Sequence, residues 1–321
     1  MKDKNANTIA ILMATYNGQS YIKEMLYSLE KQTYQDFVCY IHDDGSADET
    51  MHLLHEWTRE HPYRFVLLEG KSLGSAKDNF LWMLSQVDAA YYMFADQDDV
   101  WTSDKIEKSF QKMKQLEALC QDDYAPFCVF TDMQVVDDTL HPIAPSFIRY
   151  IGRDPYRTSM AQIIMDNPAA GCTMLFNRAL RTLALQLQDS AKVEMHDVWV
   201  LALAASFGAE HIGIIDEPCV LYRQHEHNEM GAKAESKVDK IRRNLQGMIK
   251  GNILQKKRIF LQQGRDLAGQ MCLVEGLPQH QRQILADFSR VGELPKVKRI
   301  QFYKKYGFTR NQGTVWLYLW V

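Results

Sequence analysis

Ile9-Ala10-Ile11-Leu12-Met13, followed by Thr15-Tyr16-Asn17-Gly18, is the stretch that decides the fold. A short continuous apolar run predicts a strand buried on both faces, and the residues after it carry turn chemistry. Tyr21, Met25, Leu26 and Leu29 then recur at helical spacing. The same order repeats. Phe37 to Ile41 reads as a second strand, ending at His42-Asp43-Asp44-Gly45-Ser46, and Ala47 to Glu60 as a helix with Met51, Leu54 and Trp57 on one face. Phe65 to Leu68 is a third strand, Ala76 to Val87 a third helix and Ala90 to Ala95 a fourth strand. Such alternation builds an α/β, doubly wound, mostly parallel sheet. Its ligands sit outside the carboxyl ends of the strands. Thr15-Tyr16-Asn17, Asp43-Asp44-Gly45-Ser46 and Asp96-Gln97-Asp98-Asp99 each follow a strand end, so the three clusters are expected to share one edge.

Working outward, Ile106, Phe110, Met113 and Leu116 give a helical stripe, and Phe127 to Thr131 reads as a strand. Residues 137–168, with four prolines, are expected to be irregular loops that shape an acceptor site. Cys172 to Phe176 and Ile212 to Ile215 read as strands, with a helix from His196 to Phe207 between them. Beyond residue 233 the strands stop and a basic amphipathic helical pattern takes over, dividing the chain into 1–232 and 233–321. Residues 1–232 hold 19 Lys and Arg against 34 Asp and Glu, whereas residues 233–321 hold 18 against 6. An acidic body with a basic extension points to an anionic partner for the extension. The extension reads either as a helical cap or oligomer contact with solvated lysines, or as a surface on an anionic membrane with Trp316, Tyr318 and Trp320 at the interface; the acidic body argues against nucleic acid. No apolar run is long enough to cross a bilayer, no signal-peptide pattern opens the chain, and the six cysteines form no Cys-x-x-Cys pair. A cytoplasmic protein, peripheral on the inner face of the cell membrane, is expected.

Asp96, Asp98 and Asp99 crowd carboxylates at a strand end, which costs repulsion unless a cation or hydrogen bonds offset it. Mg2+ or Mn2+ held there would neutralise a diphosphate leaving group. A solvated acidic turn is the plain alternative, outweighed here by the position after the fourth strand. Asp43-Asp44-Gly45-Ser46 is read evenly as a helix-capping turn or as a contact from Asp44 to a nucleotide base. Tyr16 is placed to stack on that base. Asp197, opening a helix, is a cap, a general base kept ionised by the helix dipole, or both. His225 is read as a surface histidine, a third metal ligand or a phosphate contact, and Arg223 as a charge clamp.

Together, Ile-Ala-Ile-Leu-Met-Ala-Thr-Tyr-Asn-Gly (9–18), Asp-Asp-Gly-Ser (43–46), Phe-Ala-Asp-Gln-Asp-Asp-Val-Trp (94–101) and His-Asp-Val-Trp (196–199) resemble family 2 inverting glycosyltransferases of the GT-A fold. The Asp-Gln-Asp-Asp-Val-Trp form is similar to that of bacterial rhamnosyltransferases of polysaccharide synthesis. The resemblance covers roughly residues 8–230. It implies that Tyr16 and Asp44, with Thr15 and Asn17 beside them, hold the nucleoside of a nucleoside diphosphate sugar. It implies a ribose or metal contact for Asp96, a metal ligand in Asp98 and the general base in Asp197. Lys77 and Asn79 match a donor-lining segment, although Lys71-Ser72-Leu73-Gly74 lacks the asparagine that relatives often carry before the glycine. The implied acceptor is a saccharide or a lipid-linked glycan. Two other readings stay open: a nucleotidyltransferase, which would need a glycine-rich phosphate loop where this chain has only Gly18, and a non-catalytic membrane adaptor on the same fold.

Overall fold

A computed structural model of the chain describes residues 7–120, 122, 124–225 and 252–310. Its centre is one sheet in the order β3-β2-β1-β4-β8-β6-β9-β5, with β7 beside β6. The first half is the expected parallel, doubly wound unit: β1 (Ile9–Thr15), β2 (Phe37–Asp43), β3 (Phe65–Leu67) and β4 (Tyr91–Asp96). Their continuous apolar runs reflect burial on both faces. Leu12, Tyr92 and Phe94 enter one core, while Ile11, Met13 and Met93 enter the other. Helices α1 (Ile22–Glu30), α2 (Thr50–Glu60) and α3 (Ala76–Gln86) make the crossovers.

After β4 come the two-residue β5 (Val100–Trp101), α4 (Lys105–Leu119), β6 (Cys128–Val136), β7 (Pro142–Ala144) and the short helices α5 (Phe147–Tyr150) and α6 (Met160–Asp166). They are followed by β8 (Met174–Asn177), α7 (Arg178–Ala184), α8 (His196–Ala205) and β9 (Ile212–Arg223). The second half mixes directions. β8 runs antiparallel between β4 and β6, β6 and β9 are parallel, and β5 returns antiparallel on β9. The expectation of irregular chain over 137–168 is corrected, because α6 forms there. Its capping box, Ser159 with Gln162, supplies the start that seven residues of apolar pattern do not.

Three helices make up the described part of the extension: α9 (Asn252–Cys272), α10 (Gln279–Ser289) and α11 (Lys296–Tyr306). Leu261, Leu267, Met271, Leu285, Phe288 and Phe308 join the same core as Ile163, Trp199 and Leu203. Much of the apolar surface of these helices is thus packed on the body, although Ile259 and Val297 stay exposed. The predicted helical stripe over 238–253 falls almost wholly outside the described residues, as does the aromatic end at 315–321. Among the described residues no helix is long and apolar enough to cross a membrane.

Candidate active site

Strand register aligns the three clusters. Thr15 pairs with Asp43 and Ala14 with Asp96, so β1, β2 and β4 end together. Their ends open onto a cavity of about 880 Å³ whose lining includes Thr15, Tyr16, Asp44, Asn79, Asp96 and Asp98. Tyr16 is 58% exposed, which leaves it accessible as a stacking platform. Gln97 clips β1 to β4: its carboxamide accepts from the Tyr16 N–H at 2.9 Å and donates to the Tyr16 carbonyl at 2.8 Å. Gly18 makes room for that carboxamide, since a Cβ there would lie 2.1 Å from the Gln97 oxygen. Asp43 is consumed by the turn, accepting from Thr15, Gly45 and both groups of Ser46. Asp44 accepts the N–H groups of Leu73 and Gly74 and so fixes the next loop while facing the cavity.

Three residues expected at the donor do not line the cavity, and their partners explain why. Asn17, at φ 47°, ties the β1 loop to the β2 loop through Ser46 and Ala47. Lys77 donates to the carbonyls of Ser190 at 2.8 Å and Val193 at 3.1 Å, anchoring the segment that leads into α8. Arg223 is buried and donates to the Asp98 carbonyl at 2.9 Å, the Asp138 carbonyl and Glu24. These are positioning contacts. Asn79 does line the cavity, and its amide is oriented by His42, whose Nδ1 lies 2.8 Å from its oxygen.

The acidic tetrad divides. Asp98 faces the cavity, and its carboxylate lies 2.7 Å from His225 Nε2. The antiparallel β5–β9 pair sets Val100 opposite Leu221, which carries the chain on to bring His225 to Asp98. Tyr21 of the α1 entry stacks on the His225 ring at 4.7 Å. Asp99 points inward. Burial, with Asp98 and Asp96 alongside, pushes its carboxyl well above the usual carboxylate range. Asp96, Asp99 and Cys172 bring three ligand atoms within 4.8 Å of one another. Burial also holds the Cys172 thiol protonated, so this inner cluster ill suits a hard ion that must also meet a phosphate. Asp98 and His225, paired at 2.7 Å, and the cavity-lining Asp96 offer the oxygen and imidazole donors that Mg2+ or Mn2+ takes. Among the described residues, however, the only three ligand atoms within 4.8 Å of one another are those of the inner cluster.

Across the cavity lining stands α8. Asp197 lies in its first turn, accepts the Val198 N–H and is only partly exposed. Burial raises its pKa to about 6, opposed by the Val198 N–H and the Arg153 guanidinium. The adjacent His196 is buried between Phe80 and Phe94, and burial lowers its pKa to about 3, so it stays neutral. The lining also takes in residues that no motif or spacing picks out: Arg153, Asp166, Phe260 and Arg310. Their only signal is charge or apolarity, and their convergence depends on α6 and the extension packing together.

Comparison with known proteins bears on this geometry. The Glycosyl transferase family 2 model matches residues 10–183, more than half of the chain. The chain belongs to the family 2 glycosyltransferases. It is similar to the dTDP-rhamnosyl transferase RfbG of Shigella flexneri, at 26% identity over 70% of this chain and 76% of that one. It is also similar to a teichoic acid poly(glycerol phosphate) polymerase of Staphylococcus epidermidis, at 32% identity over 39% of this chain and 17% of that much longer one. Among solved structures, TarS of S. aureus in complex with UDP superposes with a TM-score of 0.53 at 17% identity, covering 92% of this chain and 78% of that chain, a likeness of fold. The GT-A reading of this glycosyltransferase fold therefore holds.

Proposed function

We propose that this glycosyltransferase is metal-dependent and inverting, and moves rhamnose from dTDP-rhamnose to a saccharide or lipid-linked acceptor in cell-surface polysaccharide synthesis. The observation that carries the reading is a single cavity lined both by the aligned ends of β1, β2 and β4 and by Asp197 on α8. Tyr16 stacks on the donor base and Asp44 orients it. Asp98, His225 and Asp96 would hold Mg2+ or Mn2+, which offsets charge developing on the diphosphate leaving group. Asp197 accepts the proton of the acceptor hydroxyl as that oxygen attacks the anomeric carbon in line. A base with a pKa of about 6 is ionised near neutrality yet still accepts a proton well. Arg223 and Gln97 hold the tetrad and Tyr16 by their backbones, and Lys77 holds the approach to α8.

Similarity to RfbG supports the rhamnosyl donor, and the UDP complex of TarS supports a nucleotide in the strand-end half of the cavity. Thermal shift against dTDP-rhamnose, UDP-sugars and GDP-mannose, with and without Mn2+, tests the donor. The expected pattern is a shift by dTDP-rhamnose that needs Mn2+ and disappears in Asp98→Asn. A metal-independent shift retained by that variant would overturn the metal assignment.

A further inference from the structure

Gly171, His196 and Asp197 all line the cavity, and the first two meet closely. A Cβ at Gly171 would lie 2.5 Å from His196 Nε2 and 3.3 Å from its Cε1. The Gly171 backbone lies outside the left-handed region, so the ring beside it, rather than the course of the chain, demands glycine there. Neither side yields cheaply. The ring is flanked by Phe80 of α3 and Phe94 of β4, with centroids 4.3 and 4.6 Å away. Gly171 opens a single 3-10 turn, Gly171–Thr173, whose residues are all buried. Thr173 donates to the Ala170 carbonyl through its N–H at 3.0 Å and its hydroxyl at 2.7 Å, and the turn packs on β4 before leading into β8.

Stability does not explain the imidazole. Both ring nitrogens of His196 are buried with no hydrogen-bond partner among the described residues, an arrangement that disfavours folding relative to an apolar side chain. What the ring does is locate the start of α8. Met195 at the N-cap makes no side-chain cap bond. The Trp199 Nε1–H donates to the Ala184 carbonyl at 3.0 Å and ties the first turn to α7, while His196 ties it to β4 and Gly171. Asp197 is the next residue, and the Gly171 N–H favours its ionised form.

We propose that Gly171 and His196 are positioning residues for the transfer reaction, their close contact setting how far Asp197 stands from the strand ends that hold the donor. The inference rests on reading Asp197 as the base. Phe94 and Asp96 belong to the same strand, so the ring that packs on Phe94 places the base directly against the donor-side carboxylates. A methyl group at residue 171 would push the first turn of α8 off this seat. Misplacing a reacting group by about 1 Å can cost 10²-fold in rate.

A double-mutant cycle on the full chain tests this. Donor hydrolysis with Mn2+ is followed using whichever of dTDP-rhamnose, UDP-N-acetylglucosamine and GDP-mannose the parent turns over fastest, and donor affinity is measured separately by calorimetry. We expect Gly171→Ala and His196→Ala each to lower turnover at least ten-fold while donor affinity stays within about two-fold of the parent. The double variant should be no slower than His196→Ala alone, because the added methyl then has room. Parent-like turnover by either single variant, or losses that multiply in the double, overturns the positioning role. Asp197→Asn, assayed alongside, separates the two readings. If it is inactive, such a result removes only the positioning role; if it turns over like the parent, the base assignment falls and the inference with it. No turnover by the parent with any of the three donors overturns both.

Discussion

Asp197 shows how one residue's environment sets both stability and activity. Folding raises its pKa from 3.8 to about 6, so between those values the folded chain keeps a proton that the unfolded chain releases. Stability therefore falls as pH rises through that window, and the loss is complete above about pH 6. The full shift corresponds to roughly 3 kcal/mol, less whatever solvent reaches the carboxylate. Asp197→Asn should be more stable than the parent at pH 8, with the advantage shrinking towards pH 4, as measured by urea unfolding across pH. Equal pH dependence in the two proteins would contradict the buried-carboxylate account. Residue types and order pointed to Tyr16, Asp44, Asp98 and Asp197, which line the cavity, and to His225, which meets Asp98. They could not separate residues that touch the cavity from those that brace it. Asn17, Lys77 and Arg223 carry polar groups at promising positions, but their partners lie 29 to 199 residues away in sequence.

At the scale of elements, long periodic segments were legible and short ones were not. β1, β2, β4, α3 and α8 came directly from apolar runs and helical stripes, because each buries enough side chains to leave a pattern. β5 has two residues and α6 seven, so their identity depends on partners: β9 for one, a capping box and α9 for the other. The consequence is functional, since β5 leads His225 to Asp98 and α6 carries Asp166. Packing of the extension helices is itself testable. Phe288 is fully buried and stacks on Phe308 at 3.8 Å. Phe288→Ala should cost about 3–5 kcal/mol and lower a single thermal transition of the whole protein. Two separate transitions, with only the smaller one shifted, would show instead that 252–310 folds as an independent unit.

For the whole molecule, the basic residues of the extension fall into two groups. Some line the cavity, as Arg310 does with its side chain 44% exposed. Others, including Lys296, Lys298, Lys304 and Lys305 of α11, are exposed. Near an anionic bilayer each such cation contributes about 1 kcal/mol, so the account predicts binding through this face. Co-sedimentation with phosphatidylglycerol vesicles at low salt should retain the parent and release a variant with Lys298 and Lys304 changed to Glu. No sedimentation of the parent would sink the membrane contact without touching the catalytic site.

The central claim is that one cavity joins the strand-end donor site to the Asp197 base. Its most direct test is sugar transfer, or donor hydrolysis with water as acceptor, by the parent and by Asp197→Asn at matched donor saturation. The account predicts donor affinity within about two-fold of the parent and turnover reduced by at least 10²-fold, in keeping with loss of a general base. Turnover close to the parent's, with the donor bound, would contradict it.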